Sequence, residues 1–353
     1  MTQLPRLGRH RGFTLIELMV TMVITILITG AVYIVYVSTR QSFQLSEASA
    51  RNQEIIRYAL DSIGYDLRHA GHVGCNAGIN PGGAPGANKM NVFVNSANNW
   101  AKYTDPIKGY SSSVLPAGVF SAGEVVAGTD VLWIQYFSSK YWPLTTAGAA
   151  QTGTFQVYGN PTDFANTNVM LLADCVSGEM FVATDVVAPT TSNSAGAIGH
   201  AAGTYNTSAT FSKAYGKDAD LMRFVTRIYY IGTSNGQPTL MRKNLVNMSL
   251  VSEEIADNIA DMKVTYGVDS NSDGYADVYR PAVGVLSADW PKVVTARVCL
   301  LYRSSEANLT EKKSPSASTY QQYYDCGGYA VDATDQRFRQ AAVSSATFRN
   351  RVQ

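Results

Sequence analysis

Apolar residues run from Phe13 to about Val37, and Glu17 is the one charge that breaks the run. A helix of roughly 25 such residues is long enough to cross a bilayer with some tilt, so the pattern predicts a transmembrane segment over 13–37. The chain then continues without proline to Gly71, with Ile56, Leu60, Ile63 and Leu67 at spacings of four, three and four. That is the one-sided stripe of an amphipathic helix. Glu54, Arg57, Asp61 and Arg68 occupy its other faces, and Gly71 supplies a stop signal. One continuous helix is therefore predicted, embedded over 13–37 and docked on its own domain over 38–71. A free coiled coil is disfavoured, because the seam barely exceeds one clean pair of heptads.

The period then changes. Runs rich in β-branched and aromatic residues, separated by turn residues, occur at 131–137, 154–159, 169–175, 180–187, 223–232, 239–245, 262–268 and 293–304. Such spacing argues for antiparallel sheet. Residues 76–129, rich in Gly, Asn, Ala, Ser and Pro, read as a long irregular connection. The closing stretch RFRQAAVSSATFRNRVQ is too mixed to assign. The expected architecture is α+β, with a long N-terminal transmembrane and amphipathic helix followed by a large antiparallel β-rich head over 72–353.

Composition adds limits. An apolar fraction of 46% suits a globular head, while charged residues make up only 16%, against roughly 25% in ordinary soluble domains. Lys+Arg and Asp+Glu stand at 28 and 27, so no basic field indicates nucleic acid. Arg6, Arg9 and Arg11 precede the apolar run and only Arg40 closely follows it. The positive-inside bias places the N-terminus in the cytoplasm and the head beyond the inner membrane. There, the widely spaced Cys75, Cys175, Cys299 and Cys326 are expected to form disulfides. Three pairings are possible; the nearest-neighbour scheme, Cys75 with Cys175 and Cys299 with Cys326, is the expectation.

A carboxylate inside a spanning helix costs about 2.5–3.5 kcal/mol on insertion scales, so Glu17 needs a partner, a task, or a path by which its side chain reaches the interface. The sequence around it narrows the choice. A basic leader followed by Gly12-Phe13-Thr14-Leu15-Ile16-Glu17 and a long apolar helix resembles the class III signal of type IV pilins and type II secretion pseudopilins. The resemblance implies that a prepilin peptidase removes the leader, residues 1–12, by cutting after Gly12, and methylates Phe13. The new ammonium would lie one turn from Glu17 on the same helix face. The resemblance also implies that Glu17 sets register in the assembled filament through a neighbour's amine.

Further along, Asp269, Asn271, Asp273, Gly274 and Asp277 match positions one, three, five, six and nine of a calcium loop of the DxNxDG type, with the Tyr275 carbonyl as a further ligand. Arg280 replaces the closing glutamate, so a helix-flanked EF-hand is not expected. The alternative is an Asp/Asn/Gly hairpin turn. Gly232-Thr233-Ser234-Asn235-Gly236 spells a G-x-S-x-G nucleophile elbow, but strand-like sequence on both sides favours a hairpin. His69, His72 and Cys75 could face one metal, although an oxidising compartment favours Cys75 in a disulfide.

No catalytic constellation emerges, and no enzymatic activity is expected. The large head, the calcium-type loop after MKVTYGV and the arginine-rich end look like the PilW-type minor pilins. That resemblance implies a structural subunit of a type IV pilus that primes assembly and joins a tip complex. Its partners would be other major and minor pilins, a pilus-tip adhesin, prepilin peptidase and the inner-membrane assembly machinery. It would sit first in the inner membrane and then in the surface filament. A minor pseudopilin of a type II secretion system remains an alternative, and a signal-anchored periplasmic enzyme a more distant one.

Overall fold

The computed structural model describes residues 14–74, 80–81, 89–145, 154–314 and 316–350. Among these residues a single α-helix, Leu15–His69, is followed by strands and 3-10 turns. The chain divides into two compact units, Met1–Arg51 and Asn52–Gln353. In the first, the apolar side chains of the helix stand exposed, among them Ile16, Leu18, Ile24, Leu27 and Ile34. This is the one described helix long and apolar enough to cross a membrane.

The second unit is built around two sheets. The larger has nine strands, and Asp220–Ser234 is its spine. Along one edge that strand pairs with Asp130–Pro143; along the other it pairs first with Val169–Ala173 and then with Gln237–Val246. Alternation along Asp130–Pro143 feeds two cores: Leu132, Ile134 and Tyr136 point to one, Val131 and Trp133 to the other. The smaller sheet has four antiparallel strands in the order Val278–Pro281, Ile259–Val268, Val293–Arg303, Arg339–Thr347.

The helix from Asn52 onward shares a core with both sheets. Ile56, Ile63 and Leu67 are buried with Tyr136, Tyr229, Met262, Val264 and Val298; a fully buried side chain of this size contributes about 1.5–3 kcal/mol. The helix ends where Gly71 adopts φ +75°, the left-handed conformation that glycine takes without a Cβ penalty. Its N–H then donates to the Gln135 carbonyl at 3.1 Å, binding the helix end to the large sheet.

Several sequence expectations need correction. Residues 76–129 are not wholly irregular: Lys89–Val92 and Ile107–Ser111 are strands of the large sheet. Lys89–Val92 runs parallel to Gly178–Val182, so the sheet is mixed at that end. The run 180–187 breaks in two, Gly178–Val182 joining the large sheet and Asp185–Val187 a separate three-stranded one. Ser249–Asp257 and Arg339–Thr347 are nine-residue strands that the pattern did not reveal.

Candidate functional site

At the N-terminal end, Gly12 and Phe13 lie outside the described residues. Thr14 caps the helix. The Glu17 N–H donates to Thr14 Oγ1 at 3.3 Å, and the Thr14 N–H donates back to Glu17 Oε2 at 3.4 Å. This reciprocal pair is a capping box, which satisfies two of the backbone donors that every helix start leaves open. The Thr-x-x-Glu spelling before an apolar run was a readable signal for it. Glu17 is exposed, so its carboxylate is engaged locally and also presented outward.

Where the helix meets the large sheet, a polar cluster sits inside the apolar core. Asp66, 2% exposed, accepts hydrogen bonds from the hydroxyls of Tyr136 at 2.7 Å and Tyr229 at 2.6 Å. Arg242 lies 3.6 Å from the same carboxylate, donates to the Tyr229 hydroxyl at 3.1 Å, and is held from behind by Glu253 at 2.7 Å. Burial first, and the Asp66 charge second, push both tyrosines well above their ordinary range. They therefore remain donors. This carboxylate keys the helix to the sheet, and Asp66 was missed because acids were read as solvent-facing. Yet Ala59, Ile63, Asp66 and Ala70, spaced four, three and four apart, place it on the buried stripe.

The calcium-type segment forms the loop between Ile259–Val268 and Val278–Pro281. Asp269, 7% exposed, accepts from the N–H groups of Ser272 at 2.6 Å and Gly274 at 2.8 Å. Asn271 Nδ2 donates to Asp273 at 3.0 Å and to Asp277 at 3.4 Å. The Tyr275 N–H donates to Asp273 at 2.8 Å. Hydrogen bonds from Ser270 hold the Asp277 carboxyl below the usual carboxylate range. The loop thus brings Asp269, Asn271, Asp273 and Asp277 together through its own donors. Among the described residues, no group of three or more His, Cys, Asp or Glu side chains is arranged to hold a metal ion.

The remaining candidates resolve into structural roles. Cys299 is bonded to Cys326, with Cα atoms 5.6 Å apart. Cys175 is also disulfide-bonded; Cys75 lies outside the described residues. Asn235 and Gly236, at φ +50° and +74°, make the two-residue hairpin joining Asp220–Ser234 to Gln237–Val246, and the Ser234 hydroxyl bonds to Glu254. Nothing there resembles a nucleophile elbow. His69 Nδ1 lies 2.9 Å from the Tyr65 carbonyl and His72 Nδ1 lies 2.9 Å from that of Phe137.

Comparison with known families gives two matches. Residues 228–350 match the family described as Type IV Pilus-assembly protein W. Residues 7–33 match the prokaryotic N-terminal methylation motif. No curated protein and no solved structure matches. The first match spans the whole four-stranded sheet and its loop; the second covers Gly12, Phe13 and Glu17. Both point to a structural pilus protein. A methylation-motif helix at one end of the sequence and this sheet toward the other support a type IV pilin-like, pilus-related protein of the PilW type.

Proposed function

We propose that this minor pilin helps to prime filament assembly and takes part in the tip complex, together with other minor pilins and a tip adhesin. The match to the pilus-assembly family over 228–350 supports the reading. The leader is removed after Gly12 and Phe13 is methylated by prepilin peptidase, which leaves the helix in the inner membrane with the head outside. Deleting the gene should leave the major subunit in the membrane and strip the cell of filaments. Normal filament numbers would refute priming. Recovery of the protein in sheared surface filaments supports the pilus, and retention in the envelope would favour a secretion pseudopilin. An N-methylated Phe13 in the mass spectrum tests the processing step separately.

We also propose that the 269–277 loop takes Ca2+. Asn271 Nδ2 now bridges two carboxylates, the position a cation would favour, and a turn of its amide would offer Oδ1 instead. The Tyr275 carbonyl would add a further ligand. A melting temperature that rises with calcium in the parent and not in Asp273→Ala supports the site, since a ligand that binds the native state stabilises it; equal responses reject it.

A further inference from the structure

The smaller sheet leaves one long edge open. Among the described residues Arg339–Thr347 ends the strand order and pairs only with Val293–Arg303. The Phe348 N–H donates to the Val294 carbonyl, and the Ser304 N–H donates to that of Phe338. Ladder bonds alternate along an antiparallel pair, so the even-numbered residues from 338 to 348 face the neighbouring strand. The main-chain groups of Ala341, Val343, Ser345 and Thr347 therefore point outward, away from the sheet. Val343 is 57% exposed.

Open edges invite pairing, and proteins usually block them with charge, proline or brevity. Two other edges among the described residues follow that rule. Ser249–Asp257 carries Glu253, Glu254 and Asp257, and the four-residue Val278–Pro281 carries Arg280 and ends in proline. The seven residues from Ala341 to Thr347 have no charge and no proline. This long edge has neither guard.

Beside it runs a groove of about 350 Å3 whose walls include Ile56, Arg57, Leu60 and Asp61 of the helix and Ala342 and Val343 of the strand. Helix and strand keep step along the groove. Asn52 donates to Gln340, and Leu60 shares a small void with Ser344. From Asn52 to Leu60 the helix rises about 12 Å, and from Gln340 to Ser344 the strand rises about 13 Å. Arg57 consequently stands level with Ala342 and Asp61 level with Ser344. Neither charge has an ion-pair partner among the described residues.

We propose that this edge is a strand-addition site for an extended segment of another protein, which pairs antiparallel with Arg339–Thr347 and sets a basic residue against Asp61 and, two residues later, an acidic one against Arg57. Main-chain bonds would supply the grip and the two charges the register. A second copy of this chain is the wrong occupant: its own edge over 341–347 carries neither a basic nor an acidic residue to set against Asp61 and Arg57. The proposal rests on the edge and groove alone, and does not depend on the priming role.

The test uses the full-length protein in detergent micelles and the peptide Thr-Val-Lys-Val-Asp-Val-Thr. Binding should slow amide hydrogen exchange at Val343, Ser345 and Thr347. Val343→Pro removes an outward N–H and no ladder bond, so it should keep the fold and weaken binding at least tenfold. Arg57→Asp combined with Asp61→Lys should weaken the same peptide and instead prefer Thr-Val-Asp-Val-Lys-Val-Thr. Absence of binding by the parent, binding unaffected by Val343→Pro, or no exchange of preference in the charge-swapped variant would each overturn the proposal.

Discussion

Replacing Asp66 by alanine tests whether the helix is keyed to the sheet by a buried carboxylate or merely by apolar packing. The substitution removes acceptors at 2.7 Å from Tyr136 and 2.6 Å from Tyr229, and leaves Arg242 without the charge 3.6 Å away. Tyr229 retains Ser62 within 3.3 Å, whereas the Tyr136 hydroxyl loses the carboxylate to which it donates. Breaking one side of a buried ionic cluster costs about 3–5 kcal/mol. Asp66→Asn keeps one acceptor oxygen and should lose roughly half as much. Removing the carboxylate with both hydroxyls, by Asp66→Leu, Tyr136→Phe and Tyr229→Phe together, should recover much of the loss, because neither tyrosine donor is then stranded and Arg242 keeps Glu253. Urea unfolding of the full-length protein in micelles, followed by near-UV circular dichroism, reads the effect. At a slope of about 2–3 kcal/mol/M, Asp66→Ala should lower the midpoint by about 1–2 M. A loss below about 1 kcal/mol, or a triple variant no more stable than Asp66→Ala, would refute the keying argument.

Four further outcomes follow from named contacts. Burial holds His200 at about 4, below its ordinary 6.5, so its contribution is complete above about pH 6.5 and is lost as pH falls toward 4. His200→Phe, beside the stacked Phe211 ring, should remove up to about 2 kcal/mol of acid sensitivity between unfolding measurements at pH 7 and pH 5. Gly109→Ala would drive a methyl into the buried Tyr266 ring, and should cost about 1–3 kcal/mol by the same urea assay. Replacing Cys299 and Cys326 by serine opens a loop of sequence separation 27, and should cost about 3.5 kcal/mol on the chain-entropy account. Glu17→Gln retains the capping box but removes the charge; cleavage and insertion should persist while incorporation into sheared filaments falls, as it should for Glu17→Val.

The long helix was legible because its apolar residues repeat with one clear period from membrane run to docking stripe. Most central strands were legible for the parallel reason, and the strand Asp220–Ser234 exceeds its predicted 223–232 core by only a few residues at each end. The edges were not. Ser249–Asp257 carries Glu253 and Glu254 because one side of it faces solvent and the other pairs with Gln237–Val246, where Arg242 meets Glu253. Charges that satisfy a neighbouring strand dilute the alternation by which a strand is read. Arg339–Thr347 was hidden by smallness: Ser344 and Ala346, which lie beneath Leu60 and Gly64 of the helix, are not the β-branched or aromatic residues that mark a strand. Asp66 escaped notice because its role depends on Tyr136 and Tyr229, 70 and 163 residues away.

Glu17 caps the helix, and its geometry would also suit the register role that the signal's resemblance implies. Its bonds to the Thr14 N–H and hydroxyl both fall on Oε2, so the second oxygen remains open while the first caps the helix. The positive end of the helix dipole favours a carboxylate in this first turn even before any amine arrives, which lowers the penalty for an acid at the head of an apolar run. Cutting after Gly12 would then add an ammonium next to a carboxylate already oriented by Thr14. Orientation by the cap fixes where the open oxygen points. An amine from a neighbouring helix would meet a positioned acceptor rather than a mobile one, and less side-chain entropy would be lost on pairing. If Glu17 sets register, the capping box would be its positioning element, and replacing Thr14 by valine should lower incorporation into filaments through the acid it no longer orients.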